Sequence, residues 1–325
     1  MGNNFGILKF RTEPDLKEFL ATSTLADVKT VDKQNLVCFD STTSITDVFH
    51  KLVEHKIHSA PVYDAKAKEY IGLIDWKDLV AYLLQVWKAE SLPDDPKAVD
   101  VADMSRQNPF FPLYHDFSML EVLKGFSNQG MVAVHRRPVI SASNPEHIDA
   151  MVSQMDIVEW LVEKQTNLGS FFSSTTIGQL IEEMESNATA KIDFVYTVVP
   201  TTKMVHVLQL LYTHKINGVA IVEASSEGKE GKLIGNISVS DLQYLVLEHL
   251  DNMERTVEEF LQRVPRKPLV TCTPEASLLQ VMEKLVHNHV YRIYVVDPNA
   301  GNPIAVVTLT DVMEAVLLLA EEFSD

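Results

Sequence analysis

The hydrophobic and polar positions along the chain follow one plan that occurs four times. In the first copy, Val48, Leu52 and Val53 recur at helical spacing, and the apolar runs 60–63 and 70–74 predict two short strands. Each copy is predicted to contain a short leading strand, an amphipathic helix, two strands around a turn and a second helix that opens at an Asp. Such internal similarity predicts a repeat architecture of mixed α/β class.

The four copies are expected to pair. A unit of about 55 residues with two or three strands buries too little apolar surface to be stable alone. We therefore predict that the first copy pairs with the second and the third with the fourth, in a pseudo-symmetric disc. A helical preface would cover 1–31, the first module 32–165 (copies at about 32–88 and 101–165) and the second module 176–325 (copies at about 176–250 and 257–322). Residues 88–100 and 165–175 have the composition of linkers, and the second of these is the expected module boundary.

Composition and charge narrow the classes of ligand. The 325 residues include 45 Asp plus Glu and 28 Lys plus Arg, which gives a net charge of −17. Because this charge repels phosphate backbones, nucleic-acid binding is not expected, and any anionic ligand requires a local cluster of donors. Two cysteines indicate a reducing compartment, the cytoplasm with the nucleus as a second location. The sequence shows neither a membrane span nor a signal peptide, so no membrane partner is expected.

The strongest local signal is the junction between the third strand and the second helix of each copy. The four junctions read Asp75-Trp-Lys-Asp78, Ser153-Gln-Met-Asp156, Ser238-Val-Ser-Asp241 and Thr308-Leu-Thr-Asp311. Hydroxyl and carboxylate groups at a helix N-terminus meet free backbone N–H groups and the positive end of the helix dipole. Helix capping alone explains any one junction. Four junctions at matching positions also favour a ligand-binding role.

At these junctions the chain resembles the CBS-domain family, whose tandem pairs are called Bateman modules. The family pattern is an apolar strand pair followed by Ser/Thr-x-x-Asp. Four repeats with little else attached resemble the gamma subunits of AMP-activated and sucrose-nonfermenting-type protein kinases, and the segments INGVAIVE, LIGNISVSDLQYLV and VVTLTDVMEAV are similar to plant-type gamma-like subunits. The resemblance extends over about residues 25–320.

The resemblance implies adenine nucleotides as regulatory ligands, bound in clefts between paired repeats. The junction carboxylates would accept hydrogen bonds from the ribose, since one carboxylate can accept from two hydroxyls. These residues are Asp78, Asp156, Asp241 and Asp311, with the hydroxyls of Ser153, Ser238 and Thr308 beside ribose or phosphate. Asp75 replaces the usual hydroxyl in the first copy, and a second carboxylate there would repel a phosphate, which puts this site in doubt.

Basic side chains near the strand pair would meet the phosphates. The matching positions are His58 in the first copy, His135 and Arg136 in the second and Arg292 in the fourth, with Arg137 as an extra charge. The alternative for Arg136 and Arg292 is a structural ion pair. Thr197 and Thr271, in the leading strands of the third and fourth copies, match a position that often touches the ligand.

The resemblance implies a nucleotide-sensing regulatory subunit whose partners are a kinase catalytic (alpha) subunit and a bridging beta subunit. Two alternatives remain open: a stand-alone CBS protein that regulates another enzyme, and a scaffold with decayed nucleotide sites. No acid/base or nucleophile constellation is present, so an enzyme is not expected. No catalytic cofactor or metal site is expected either, because His287 and His289 lack a third ligand at usable spacing.

Overall fold

The computed structural model describes residues 14–29, 36–89, 95–127, 134–141, 143–187, 195–224, 231–245, 250–265 and 268–320. Within them the chain forms four three-stranded sheets, one in each predicted repeat. The strands are β1 (Phe39–Asp40), β2 (Ser59–Asp64), β3 (Glu69–Asp75), β4 (Leu113–Tyr114), β5 (Arg136–Ser141), β6 (Asn144–Ser153), β7 (Thr197–Val198), β8 (Gly218–Val222), β9 (Leu233–Ser238), β10 (Thr271–Cys272), β11 (Arg292–Val296) and β12 (Pro303–Thr308).

All four sheets have the same topology, in which the leading strand runs parallel to the second strand and the second runs antiparallel to the third. In each repeat the connection between the two parallel strands contains a helix, as a parallel ladder requires. The predicted mixed α/β class and the four repeats are therefore confirmed. The irregular second repeat has the same strand order as the others.

The preface helix, the first helix of each repeat and the closing α-helices of repeats 1, 2 and 4 occur where they were predicted, and further helices that were not predicted lie between them. The α-helices are α1 (Pro14–Thr22), α2 (Ile45–Glu54), α3 (Trp76–Ala89), α4 (Ala98–Val101), α5 (Met119–Phe126), α6 (Gln154–Glu163), α7 (Phe171–Ser174), α8 (Ile177–Asn187), α9 (Met204–Thr213), α10 (Val257–Leu261), α11 (Leu278–His287) and α12 (Leu309–Ala320). In α2, Ser44 caps the first turn, and the buried residues Ile45, Val48, Phe49 and Leu52 form one apolar stripe. Among the described residues, no helix has the length and apolar content that crossing a membrane requires.

The third repeat departs from the plan at its closing helix, which is a 3-10 helix over Val239–Tyr244 instead of an α-helix. Side chains compete with the backbone there. The Ser240 hydroxyl lies 2.8 Å from that of Ser238, and the Gln243 side-chain amide donates to the Ser240 carbonyl at 2.9 Å. Such local bonds weaken the preference for a regular α-helix.

The chain divides into two compact units that combine alternate repeats. Unit 1 contains the described residues of Leu36–Phe110 and Tyr196–Leu269, and unit 2 contains those of Gly2–Asn35, Phe111–Val195 and Val270–Asp325. Repeats 1 and 3 therefore share one hydrophobic core, and repeats 2 and 4 share another. The pairing of repeat 1 with repeat 2 and of repeat 3 with repeat 4 into modules stays a prediction. The predicted module boundaries stay predictions.

Each core is built by helices from its two repeats. In unit 1, α3 of repeat 1 packs on α9 of repeat 3. In unit 2, α6 packs on α11 and α12, and the preface helix α1 packs on α5 and α12. The rings of Phe19 and Trp160 are stacked there with centroids 5.3 Å apart. Residues 165–175 do not form an open linker, because Leu168 and Phe172 are buried in the same core.

Candidate functional site

Each sheet places one residue of its second strand opposite the first residue of the junction. These pairs are Ser59 with Asp75, Arg136 with Ser153, Gly218 with Ser238 and Arg292 with Thr308. Residues paired in this way have their side chains on the same face of the sheet. A basic side chain therefore shares its sheet face with the junction in repeats 2 and 4, whereas repeats 1 and 3 have Ser59 and Gly218 there.

An equivalent backbone hydrogen bond occurs in three of the repeats and shows which of their residues correspond. The amide that follows the first junction residue donates to the carbonyl of the residue before the second strand. The bonds are Gln154 N–H to His135 O at 3.1 Å, Val239 N–H to Asn217 O at 3.0 Å and Leu309 N–H to Tyr291 O at 3.3 Å. Asn217 and Tyr291 thus occupy the position of His135 in their repeats.

In repeats 2, 3 and 4 the junction carboxylate caps its own helix. One oxygen of the Asp accepts both the backbone N–H and the hydroxyl of the residue three positions earlier. The distances are 2.8 and 2.9 Å for Asp156 with Ser153, 2.8 and 2.9 Å for Asp241 with Ser238, and 2.8 and 2.7 Å for Asp311 with Thr308. The capping interpretation is therefore confirmed for these three junctions.

Capping leaves part of the carboxylate available. In Asp156 and Asp311 the cap bonds involve Oδ2, and none of the described residues hydrogen-bonds Oδ1. Because each carboxylate oxygen has two lone pairs, an Asp that caps a helix can still accept hydroxyl donors from a ligand. Burial raises the pKa of Asp311, while its bonds from Thr308 oppose the shift. Capping and ligand binding are compatible at these two junctions.

The junction of repeat 1 is closed by the chain itself. Asp78 has no exposed surface, and both of its oxygens are bonded. Oδ1 accepts the Ser105 N–H at 2.8 Å, and Oδ2 accepts the Asp75 N–H at 2.9 Å and the Asn108 side-chain amide at 2.8 Å. Asp75, which replaces the usual hydroxyl residue, caps α3 by accepting the N–H groups of Lys77 and Asp78 at 2.7 and 3.2 Å.

The segment that closes this junction runs from Asp103 to Asn108. It is hydrogen-bonded to β3 through Asp103 N–H to Leu73 O and Leu73 N–H to Asn108 O, each at 3.0 Å. A Cβ at Gly72 would lie 3.4 Å from that of Asp103, so the segment lies directly against the strand. Sequence analysis missed this segment, although its polar run after the apolar residues of α4 indicates a loop.

Repeat 1 also contains a buried charge cluster. Lys77 is 5% exposed and donates from Nζ to the Gln107 side chain at 3.1 Å, with Asp75, Asp78 and Asp103 as its acidic neighbours. Burial lowers the pKa of Lys77, and burial together with the Asp75 charge raises that of Asp78. A buried charge cluster of this kind stabilises the local structure and leaves its charged groups inaccessible to a ligand.

The basic side chains predicted to meet phosphate lie in different surroundings. Arg136 and Arg292 are half-buried at the sheet face of their junctions, and His58 is half-buried in repeat 1. His135 Nδ1 lies 2.9 Å from Gln154 Oε1, and the Gln154 amide donates to the Thr310 hydroxyl at 3.0 Å. This chain of bonds links the junctions of repeats 2 and 4 inside unit 2, and no sequence pattern indicates it.

Arg137 is not part of a phosphate cluster. It is 6% exposed, and its guanidinium donates to the carbonyls of Phe111, at 3.1 Å, and Gly125. It also lies over the rings of Phe111 and Phe126 at 5.7 and 5.8 Å. Because strand residues alternate between faces, Arg137 points away from the face of Arg136. The expectation of an extra ligand charge at Arg137 was wrong.

Thr197 and Thr271 begin the leading strands of repeats 3 and 4. They lie opposite Ala220 and Tyr294 and are half-buried. In the register of the other repeats, the same place falls on Cys38 and Pro112, just before β1 and β4. Among the described residues, no group of three or more His, Cys, Asp and Glu could hold a metal ion.

The repeated sheet, helix and Ser/Thr-x-x-Asp geometry defines a class, and comparison with known sequences identifies it: the chain belongs to the CBS-domain family. The family profile, described as "CBS domain", matches residues 28–85, 191–248 and 257–318, which together exceed half of the chain. The second repeat lies outside these ranges, in line with its irregular sequence.

Among curated proteins, the chain is similar to the SNF1-related protein kinase regulatory subunit gamma-like PV42b of Arabidopsis thaliana, with 24% identity over 88% of the chain and 92% of the relative. It is also 24% identical to Protein SDS23 of Saccharomyces cerevisiae over 85% of the chain, but spans only 56% of that relative. The resemblance to gamma-type subunits, including those of plants, is thereby confirmed.

Solved structures support the fold. Protein MJ1225 of Methanocaldococcus jannaschii, described as a candidate archaeal homologue of g-AMPK, matches with a TM-score of 0.66 and 18% identity over 89% of this chain and 99% of its own. An uncharacterized conserved protein of Pyrococcus horikoshii matches with a TM-score of 0.51 and 14% identity over the same shares. At these identities the likeness establishes the fold alone.

Proposed function

We propose that the chain is an adenine-nucleotide-sensing, gamma-type regulatory subunit of a protein kinase and has no catalytic activity of its own. The observation that carries the proposal is the junction of repeat 4. There Asp311 keeps Oδ1 clear of bonds to any described residue, and Arg292 lies on the same sheet face, opposite Thr308. The similarity to a kinase gamma-like subunit over most of both chains supports the kinase as the regulated enzyme.

The ligand chemistry follows from these groups. The carboxylate of Asp311 accepts the ribose hydroxyls, the guanidinium of Arg292 binds phosphate, and Thr271 of the leading strand lies beside the base. Repeat 2 offers a similar pair in Asp156 and Arg136. A net charge of −17 makes such local cations necessary for any nucleotide.

The other two repeats contribute less in this proposal. In repeat 3, Asp241, Ser238 and Thr197 supply ribose and base contacts, but Gly218 stands where repeats 2 and 4 have an Arg. In repeat 1, Asp78 is enclosed by the chain, and Ser59 stands where repeats 2 and 4 have an Arg. Repeat 1 therefore takes no nucleotide.

Regulation requires that the nucleotide bind two states of the subunit with different affinity, because a ligand with equal affinity for both shifts nothing. The bonds among His135, Gln154 and Thr310 connect the junctions of repeats 2 and 4. A nucleotide at one junction can thus alter the other. We expect the catalytic and bridging beta subunits to read this change, in the cytoplasm or the nucleus.

A second candidate is a stand-alone CBS regulator or scaffold. Two observations favour it: the closed junction of repeat 1, and the similarity to yeast proteins whose names, SDS23 and SDS24, mention no kinase.

Two measurements on the full chain test the proposal. Calorimetric titration with AMP, ADP and ATP should show binding, and Asp311→Ala should abolish the site in repeat 4. Asp100→Ala is the matched control, because Asp100 caps α4 in the same way through the Lys97 N–H at 2.9 Å but lies outside the junctions. Absence of binding at millimolar nucleotide would refute nucleotide sensing.

Co-purification of the tagged chain from native extract tests the partner. A kinase catalytic chain and its beta subunit should accompany it. Recovery of nucleotide binding without any kinase chain would refute the kinase assignment and support the stand-alone regulator.

A further inference from the structure

A short segment of the chain, Asp103–Asn108, holds the junction of repeat 1 shut, and we call it the strap. It lies between α4 and β4, and its polar side chains Ser105, Gln107 and Asn108 are buried. Polar side chains are seldom buried without a specific partner. The partners of the strap therefore show what it does at this junction.

The strap fills acceptor positions that no described residue of the chain takes up, or that a hydroxyl takes up, in repeat 4. There Asp311 Oδ2 accepts the N–H and the hydroxyl of Thr308 at 2.8 and 2.7 Å, and none of the described residues hydrogen-bonds Oδ1. In repeat 1, the Asn108 amide donates to Asp78 Oδ2 at 2.8 Å in place of that hydroxyl, and the Ser105 N–H donates to Oδ1 at 2.8 Å. The strap thus replaces the missing hydroxyl and also takes the second oxygen.

These two donors match the chemistry of a nucleoside. A ribose has two neighbouring hydroxyls, and the strap presents two N–H groups to the two oxygens of one carboxylate. Each carboxylate oxygen has two lone pairs, and on Asp78 Oδ2 both are used, by the Asn108 amide and by the Asp75 N–H at 2.9 Å. The strap and a ribose therefore compete for Asp78.

Hydrogen bonds, rather than extensive apolar packing, hold the strap in place. It is bonded to β3 through the N–H and the carbonyl of Leu73, each at 3.0 Å, and Gln107 accepts from Lys77 Nζ at 3.1 Å. Met104 packs on the hydrophobic core of unit 1 but is only partly buried. Because water can replace a hydrogen-bond partner, each such bond contributes little net stability. A segment held in this way opens more easily than the core.

The backbone of the strap also favours its release. Asp103 and Arg106 have φ angles of +50° and +55°, in the left-handed region that residues with a Cβ seldom adopt. Such conformations store strain, which the hydrogen bonds of the closed strap must offset. Loss of one or two of those bonds therefore shifts the strap toward the open state.

We propose that the strap is an autoinhibitory contact that occupies Asp78 in place of a nucleoside, and that repeat 1 binds a nucleoside when the strap is displaced. This inference rests on the proposed function, because it takes Asp78 to be a ribose acceptor like Asp311. The ligand is a neutral nucleoside and not a nucleotide, because Asp75 lies beside Asp78 and repels a phosphate.

The first test counts adenosine sites on the full chain by calorimetric titration. Ser105→Pro removes the N–H donor and Asn108→Ala removes the amide donor. Because each donates to a carboxylate, each loss should raise the adenosine affinity of repeat 1 by about tenfold or more. The double variant should bind one more adenosine than the wild-type chain, and no more AMP. Asn252→Ala is the matched control, because Asn252 is a buried asparagine of unit 1 outside the strap, and it should leave the number of sites unchanged.

The second test follows the strap itself and does not depend on the folding of the double variant. Asn108→Ala keeps the Ser105 N–H as a reporter of closure. In this variant adenosine should make the amides of 103–108 exchange faster with deuterium, because the ligand and the strap compete for Asp78. A ligand that bound elsewhere would leave this exchange unchanged or slow it.

The outcomes separate the strap from the function on which it rests. A wild-type chain that binds adenosine, together with a folded double variant that gains no site, would overturn the autoinhibitory role and leave the proposed function standing. Unchanged or slower exchange of the strap in Asn108→Ala would do the same. An added site that takes AMP as well as adenosine would overturn the restriction to a neutral nucleoside. Absence of binding in the wild-type chain and in both variants would overturn the proposed function and the inference together.

Discussion

Replacing Asp78 by Ala should damage the fold without affecting nucleotide binding. The substitution leaves three buried donors without an acceptor: the N–H groups of Asp75 and Ser105 and the side-chain amide of Asn108. At about 1 kcal/mol or more for each, the free energy of unfolding should fall by about 3 kcal/mol. For a unit of this size, this corresponds to a decrease of roughly 6–12 °C in melting temperature.

The assay combines thermal and urea denaturation with calorimetric titration of AMP. The control is Asp100→Ala, which removes one exposed cap bond and should cost about 1 kcal/mol. The reasoning is refuted if Asp78→Ala is no less stable than Asp100→Ala. It is refuted equally if Asp78→Ala retains full stability and loses AMP binding, because Asp78 would then be a ligand residue and not an enclosed structural one.

Three further predictions concern the charges and thiols. Arg137→Lys should lower the free energy of unfolding by about 1–3 kcal/mol in urea titrations, because lysine cannot donate to two carbonyls at once, whereas Arg136→Lys should change stability little. Burial raises the pKa of Asp311. Adenosine affinity should therefore be full above that pKa and should fall as the pH decreases through it, at a higher pH than for an ordinary Asp. Asp311→Asn should show no such pH dependence. The same shift contributes stability at low pH that is lost as the pH rises from the ordinary Asp value through the folded-state pKa. A thiol reagent should label the exposed Cys38 in the folded chain, and it should label Cys272, whose pKa burial raises to about 11, only after unfolding. Mass spectrometry of the labelled peptides measures this order, and labelling of Cys272 before Cys38 would contradict the burial of Cys272.

The sequence predicts the local structure well because each signal acts over a few residues. The apolar stripe of α2 and its cap at Ser44 depend on contacts within two turns, and the strands of repeat 1 follow from alternation and a turn. The junction carboxylates were found for the same reason, since Ser/Thr-x-x-Asp is a pattern of four residues that closes on itself as a capping box.

Which repeats share a hydrophobic core could not be predicted in this way. Four similar units present four similar apolar faces, and periodicity shows that a face must be covered without showing by which unit. The packing of α3 on α9 is decided by the fit of particular side chains across a sequence separation of more than a hundred residues. Arg137 shows the same limit, because its donor bonds to Phe111 and Gly125 involve backbone carbonyls that no sequence pattern marks.

The closed junction of repeat 1 gives a physical reason for the presence of Asp75 where the other repeats have Ser or Thr. With a hydroxyl at this position, Asp78 would keep a cap like that of Asp311. With Asp75 as the cap, a second buried carboxylate lies beside Asp78, and the two need a compensating cation and donors. Lys77, Ser105 and Asn108 supply them. A nucleotide phosphate would add a third negative group to this cluster, so the same residues that stabilise the closed junction also exclude the ligand. The cations that could bind phosphate, Arg136 and Arg292, lie in the two repeats of unit 2. In a chain with a net charge of −17, this division is the reason why the proposed phosphate recognition is expected in unit 2, whereas the first junction of unit 1 has a structural role.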